Sequence, residues 1–275
     1  MGGYVLDPAR PVLLRPDGVV QVGWDPRRAV LVCPPSGMTV RTLAELLRRL
    51  QSGATVAQLA ELVDEVATDT IADLITSLVD AGVVTSPRRR RARTASIRIH
   101  GRGPLSDLLA SALRCSGAHI TQSSRTHAGS AADLAVLTDF LVSDPRVVHE
   151  LHAAGVPYLP VRVRDGVGLV GPLVIPGVTS CLECADLHRS DRDSAWPAIA
   201  AQLRDTVGSA DRATVLATAA LALNQVDQVL RAVNGGHDVA LTPEPPPTLN
   251  TTLEFDVNHG SIEARRWPRH PRCHC

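Results

Sequence analysis

Lysine is missing from this chain: all 28 of its Lys+Arg residues are arginine. Any mechanism built on a lysine nucleophile, a Schiff base or a lysine on a nucleotide phosphate is therefore excluded. A basic-then-apolar leader is missing too, because Met1 to Leu14 is interrupted by Asp7, Pro8, Arg10 and Pro11, so no secretory signal is expected. No apolar run approaches the roughly 20 residues that span a bilayer. The most apolar stretch, Ala217 to Leu223, is far shorter, and no membrane contact is expected. Net charge is +0, so no overall field draws the protein to nucleic acid or to a membrane. These absences predict a cytoplasmic protein in a reducing compartment, where cysteines favour metal over disulfides.

Cysteines supply the clearest pattern that is present. Cys181-Leu-Glu-Cys184 and the distant Cys273-His274-Cys275 form two close pairs. Four thiolates in two such pairs fit one tetrahedral zinc site, with no position open to water, so the site is expected to be structural. It would pin residues 273–275 to a mid-chain loop. The competing readings are a redox CxxC and unrelated buried thiols; a redox pair has no need of the second, distant pair. Around the ligands, His188, Arg189, Arg192, Arg265, Arg266, Arg269 and Arg272 are expected to offset the charge of a Cys₄ centre. Cys33 and Cys115 have no partner spacing and are expected as small core residues.

The 275 residues suggest about two domains, and 44% hydrophobic content suffices for a core in each. Residues 1–87 read as the first. Three short extended stretches, Val12 to Leu14, Val19 to Val22 and Ala29 to Val32, are separated by the turns Pro16-Asp17-Gly18 and Asp25-Pro26. Three helices follow. The first is capped by Thr39 and carries Leu43, Leu46, Leu47 and Leu50. The second carries Val56, Leu59, Leu62 and Val63. The third runs from Thr68 to Asp80 with Ile71, Leu74, Ile75 and Leu78, and stops at Gly82.

This order predicts a winged-helix-like module, in which the third helix would read DNA. No arginine occurs between Gln51 and Pro87, while Glu61, Asp64, Glu65, Asp69, Asp73 and Asp80 line that segment. Phosphate contacts dominate DNA affinity, so an acidic reader is unsuited to it and no nucleic-acid partner is expected. A peptide added along Ala29, Val30, Leu31 and Val32, with side chains set beside Ile71, Leu74 and Leu78, suits this surface better.

An arginine-rich linker, residues 88–95, leads to a second domain, 96–275. Ser96 to His100, the turn Gly101-Arg102-Gly103-Pro104-Leu105-Ser106 and a helix through Leu109 and Leu113 make the strand-turn-helix of a nucleotide-binding unit. Pro104 has no N–H for a phosphate, so the site is expected to be blunted on a Rossmann-like scaffold. A strand from Asp133 to Leu137 leads to Thr138-Asp139. A helix over 145–154 leads to a strand over 156–161. The polar link from Thr121 to Ser130 implies an abbreviated sheet. A helix from Ala210 to Val233, apolar nearly all round, implies burial in the core or at a homodimer contact. The strand pair Thr251 to Val257 and Ser261 to Trp267 delivers the last two cysteines. The fold class is α/β.

Gly177 to Cys184, the Asp193 to Pro197 stretch ending in Trp-Pro, and His270 to Cys275 resemble ThiF-like proteins related to ubiquitin-activating enzymes, in the branch that partners YcaO cyclodehydratases. The resemblance implies that residues 1–87 recognise the leader of a ribosomally made precursor peptide. It also implies that the chain presents that peptide to a YcaO-type enzyme that makes azolines from Cys, Ser or Thr with ATP. Adenylating relatives carry a GxGGxG turn, a lysine and an arginine on ATP, and an acidic metal ligand. Here Gly101 and Gly103 are a degenerate remnant and Asp139 alone is a candidate acid, so this chain is not expected to hold ATP or to catalyse by itself. An active adenylyltransferase and a DNA-binding regulator are the competing functions.

Overall fold

The computed structural model describes residues 3–63, 66–85, 94–123, 132–233 and 245–275. The chain divides into two compact units, residues up to 91 in one and most of the remainder in the other. Asp64 and Glu65, the run Arg88 to Arg93, and most of the Thr121 to Ser130 link lie outside the described residues.

In the first unit, β2 (Val12–Leu14), β3 (Val20–Val22) and β4 (Val30–Val32) form an antiparallel sheet in that order. A separate pair joins β1 (Val5–Leu6) to β5 (Val84–Thr85). Helix α1 (Val40–Gln51) starts where Thr39 Oγ1 accepts the Thr42 N–H at 3.1 Å, and its buried stripe is Leu43, Ala44, Leu46, Leu47 and Leu50. Thr55 and Gln58 cap α2 (Val56–Ala60) reciprocally. That helix ends before Leu62, which is exposed rather than part of an apolar face. Helix α3 (Thr68–Asp80) ends at Gly82, whose φ of 68° is the left-handed conformation that closes helices cheaply.

The second unit is α/β, built on one seven-stranded mixed sheet. Its parallel part comprises β6 (Ser96–His100), β7 (His119–Ser123), β8 (Leu134–Thr138) and β9 (Tyr158–Arg164). Antiparallel β10 (Val167–Val170), β11 (Thr251–Asp256) and β12 (Ser261–Arg266) extend it. Strand β7 takes the first three residues of the expected polar link: His-Ile-Thr-Gln-Ser has one apolar residue, and it is a strand because it pairs with β6 at the sheet edge. Helix α4 (Pro104–Leu113) and the long α8 (Arg212–Val233) pack with one face of the sheet around Ile97, Leu134, Val136, Val161, Ala222 and Val226. Helix α5 (Pro145–Ala153) shares a core with Ala135, Leu137 and Tyr158 on the opposite face. Two helices lie between β10 and α8: α6 (Leu182–Arg192) and α7 (Trp196–Leu203).

Cys33 and Cys115 correct the expectation of small core residues, because both are exposed. Cys33 follows buried Val32, and the alternation of an extended chain turns the next side chain outward. Cys115 sits in the short turn that ends α4 at Leu113, the last buried position there. Helix α8 is buried along one stripe only, with Thr214, Thr218 and Gln225 in it and Leu216 exposed.

Close approach of α8 to β10 depends on Gly168, where an added Cβ would lie 2.0 Å from Thr218 Oγ1. Gly168→Ala is expected to destabilise the second unit by about 1–3 kcal/mol through overpacking, with part of the loss restored when Thr218→Ala is added. Chemical denaturation of the two variants checks this; equal stability of Gly168→Ala and the parent would show that the helix can move away freely.

Candidate metal centre, blunted anion site and adjoining cavity

Cys181 stands at the N-cap position of α6, one residue outside the helix, and Cys184 lies in its first turn. The preceding turn is anchored from the far side of the unit. Ser180 N–H donates to Asn250 Oδ1 at 2.8 Å, and Arg269 donates to the Gly177 carbonyl at 2.7 Å. The C-terminal arm leaves β12 with Trp267, whose indole N–H donates to Thr252 Oγ1 at 3.0 Å. It then turns back so that Cys273 N–H meets the His270 carbonyl at 3.0 Å.

The two arms bring all four sulfurs within 4.8 Å of one another. Cys181 is 3.8 Å from Cys184 and 3.5 Å from Cys273, and Cys184 is 3.5 Å from Cys275. A disulfide would need about 2.05 Å. A tetrahedron of sulfurs around an ion at about 2.3 Å has edges of about 3.8 Å, so the separations fit a four-coordinate metal. Backbone groups support the same reading. The Cys184, His270 and Cys275 N–H groups point to the sulfurs of Cys181, Cys184 and Cys273 in turn.

Outside the sulfurs, His270 is nearly fully buried. Its Nδ1 accepts the Arg272 N–H at 3.1 Å, which leaves Nε2–H to donate to Asp191 at 2.8 Å, and Arg272 grips the same carboxylate. His188 donates to the Pro268 carbonyl at 3.1 Å and stacks edge-on against His270. His188, Asp191 and His270 thus form a second compact cluster, but their hydrogen bonds brace the loop that carries Cys273. Of the arginines expected around the cysteines, Arg269 and Arg272 brace the cysteine-bearing turns, while Arg265 and Arg189 act elsewhere. Arg265 pairs with Glu254 at 2.8 Å, and Arg189 pairs with Asp186 at 2.8 Å. The Arg189 guanidinium also lies 5.1 Å from the Trp196 ring centre and 4.7 Å from that of Trp267.

Gly101, Gly103 and Asp139, expected as the remnant of a nucleotide site, lie together, with the Asp139 carboxyl turned onto the start of α4. The Asp139 side chain is buried, and its φ of 70° is left-handed. Its Oδ1 accepts the Leu105 N–H at 2.9 Å and its Oδ2 accepts the Ser106 N–H at 3.2 Å. Gly103 N–H is taken by Ser106 Oγ at 3.0 Å, and Pro104 has none. Every donor that the start of α4 would offer a phosphate is thus satisfied from within the chain. The glycines serve this plug: a Cβ on Gly101 would fall 2.0 Å from Thr138 Oγ1, and one on Gly103 would fall 2.7 Å from Asp139 Oδ1.

The residues expected to dock a peptide divide. Val30 to Val32 form β4 at the end of the three-stranded sheet, with Leu31 54% exposed. Ile71, Leu74 and Leu78 are buried in the first unit's own core, so they correct the expectation of side chains set open beside a peptide. A helix with one apolar stripe spends that stripe on the core it closes.

A cavity of about 730 Å³ opens beside the cysteine cluster, lined by Cys181 and Cys275 together with Leu141, Val148, Leu182 and Trp196. Arg162 also lines it and is only 9% exposed. Sequence reading ended that strand at Val161 and missed this residue. The signal was the continuing alternation Val161-Arg162-Val163-Arg164, whose valines pack in the α8-side core while the arginines face the other way.

The fold and site define a two-unit α/β protein whose larger unit carries a four-cysteine metal-type cluster. No protein-family model matches the sequence, and no curated protein resembles it at a significant level. Among solved structures it is similar to a heterocyclase in complex with substrate and cofactor, at 17% identity and a TM-score of 0.72. It is also similar to the heterocyclase TruD, at 18% identity and a TM-score of 0.71. The whole chain is covered in both cases, but only 39% and 42% of those proteins. Thus the chain spans about two-fifths of the heterocyclases it matches. MccB of E. coli with MccA-N7isoASN matches from end to end, at 14% identity, a TM-score of 0.61 and 99% of that chain. At such identities the likeness is one of fold.

Burial pushes the Cys181 thiol well up, against the hydrogen bond from the Cys184 N–H, and burial pushes Cys273 up to about 12. Metal-free thiols of this kind hold their protons at neutral pH, and a metal must displace them, so affinity rises with pH and falls in acid. The purified protein is expected to hold one ion per chain, released on acidification. Asp191→Ala is expected to weaken metal affinity about 10–100-fold by freeing the His270 loop. Chelator competition monitored by metal analysis measures both, and retention of metal by Cys273→Ser at the parent affinity would rule the site out.

Proposed function

We propose that this protein is a leader-peptide-binding, zinc-stabilised scaffold that presents a ribosomal precursor peptide to a YcaO-type azoline-forming enzyme. The observation that carries this reading is the combination of an open sheet edge at β4 with an anion site filled by Asp139. The first offers a peptide a row of main-chain partners, and the second leaves no phosphate grip at the start of α4. Zinc is the ion proposed for the four cysteines, since a d¹⁰ ion accepts a closed sulfur tetrahedron without redox chemistry. The fold likeness to heterocyclases supports azoline chemistry, and the uncovered three-fifths of their length leaves room for a separate catalytic component.

Strand addition explains how affinity could arise with little demand on sequence. Val30 to Val32 would supply N–H and C=O groups, while exposed Leu31 and its cross-sheet neighbour Leu13, one strand beyond Gln21, would supply apolar contact. Asp69, Asp73 and Asp80 on α3 favour a partner with basic anchors. Binding should therefore weaken as salt is raised. The MccB likeness favours adenylation as a second reading, since that protein has been solved with ATP at a TM-score of 0.61.

Two experiments separate these readings. Fluorescence titration of the leader encoded beside the gene is expected to show binding that falls about tenfold or more in Val30→Pro, which removes a main-chain donor. Leu31→Asp, at an exposed position where folding should change by less than about 0.5 kcal/mol, should also weaken it. Binding unaffected by either change would place the peptide elsewhere. In the second experiment, exchange of labelled pyrophosphate into ATP by the chain alone is expected to stay at background with candidate peptides present. Robust exchange would replace the scaffold by an adenylyltransferase.

A further inference from the structure

The cavity beside the cysteine cluster has no part in the scaffold reading, and it contains an unusual group. Arg162 projects into it from β9 with 9% of its surface exposed. Its guanidinium makes one hydrogen bond, to the Leu141 carbonyl at 2.9 Å, and among the described residues no carboxylate lies within ion-pair reach of it. Asp186, the acid whose field reaches Arg162, accepts from Arg189 at 2.8 Å and from the Trp196 indole N–H at 3.1 Å, both through Oδ1, and makes no ion pair with Arg162. Arg189 and Arg164 add positive potential at the same place. Burial pushes the Arg162 guanidinium down to about 10, with Arg189 acting in the same direction, so it stays charged at neutral pH. A buried charge is normally paired, because desolvation costs several kcal/mol that only a counter-ion and hydrogen bonds offset.

We propose that this cavity is a binding site for a ligand bearing one carboxylate on an apolar body, the carboxylate paired with Arg162. A planar carboxylate matches the parallel N–H donors that the guanidinium has left. Leu141, Val148, Leu182, Trp196 and Leu203 supply an apolar lining, and about 730 Å³ lies within the range of small-molecule sites. A dianion such as phosphate suits the site poorly. It would face Glu183 and Asp186, and also the net negative charge of a metal-loaded Cys181 and Cys275 wall, and among the described residues Arg162 is the lining arginine without an ion pair, Arg164 and Arg189 having theirs. The chemistry is shared by two sources: the free C-terminus of a peptide and a small carboxylic acid. The site lies wholly within the second unit and does not depend on what the first unit binds.

Calorimetric titration of the metal-loaded full chain tests this, with acetyl-Ala-Leu as the peptide acid, hexanoate as the small acid, their amides as neutral matches, and inorganic phosphate. Either acid is expected to bind about tenfold or more tightly than its amide, as a hydrogen bond to a charged group implies. The tighter of the two acids identifies the source. Arg162→Gln is expected to bring the acid to the affinity of its amide while metal content and thermal midpoint stay at parental values. Should that variant fail to fold, the acid-against-amide difference in the parent protein decides. Equal affinity of acid and amide, no saturable binding of either acid, tighter binding of phosphate, or an undiminished affinity in folded Arg162→Gln would overturn the proposal.

Discussion

Convergence of Cys181 and Cys184 with Cys273 and Cys275 is the constraint on which the larger unit depends. It joins positions some 90 residues apart in sequence, with sulfurs 3.5 Å apart across the join. Helix α6 has good helix formers but no long apolar face: Leu-Glu-Cys-Ala-Asp-Leu-His-Arg-Ser-Asp-Arg buries only Leu182, Cys184 and Ala185. Its place is set by the cysteine turn at its start and by Asp191 near its end, which holds His270 and Arg272. With α6 placed, Asp186 and Arg189 are carried to Trp196, and one wall of the cavity exists.

Two buried charges in this unit have opposite fates. The buried Asp139 carboxyl has its partners supplied by the chain, the Leu105 and Ser106 N–H groups at the start of α4. Arg162 is a cation with no ion-pair partner among the described residues, held by the Leu141 carbonyl. The same physics governs both, since a charge removed from water needs a partner of opposite sign nearby.

Periodicity made much of the architecture legible. The stripes Leu43-Leu46-Leu47-Leu50 and Ile71-Leu74-Ile75-Leu78, the Thr39 cap and the Gly82 stop all appear where hydrophobic spacing and capping chemistry place them. β7 and α6 escaped because neither has a periodic apolar face; one exists by edge pairing and the other by the cysteine loop. Reading Ile71, Leu74 and Leu78 as peptide contacts failed for a related reason. An apolar stripe reports that a face is covered, and cannot say whether the cover is the chain itself or a partner.

Local sequence therefore decided most of the helices and strands of an α/β protein, the two close cysteine spacings, and that no lysine chemistry is available. These follow from short-range spacing and from residue types, which need no knowledge of neighbours. Tertiary structure alone decided that Asp139 meets the N–H groups at the start of α4, that His270 braces the cysteine loop through Asp191, and that Arg162 stands in a cavity with no ion-pair partner among the described residues. Each depends on a distance between residues far apart in the chain, and whether a charge is satisfied is set by that distance.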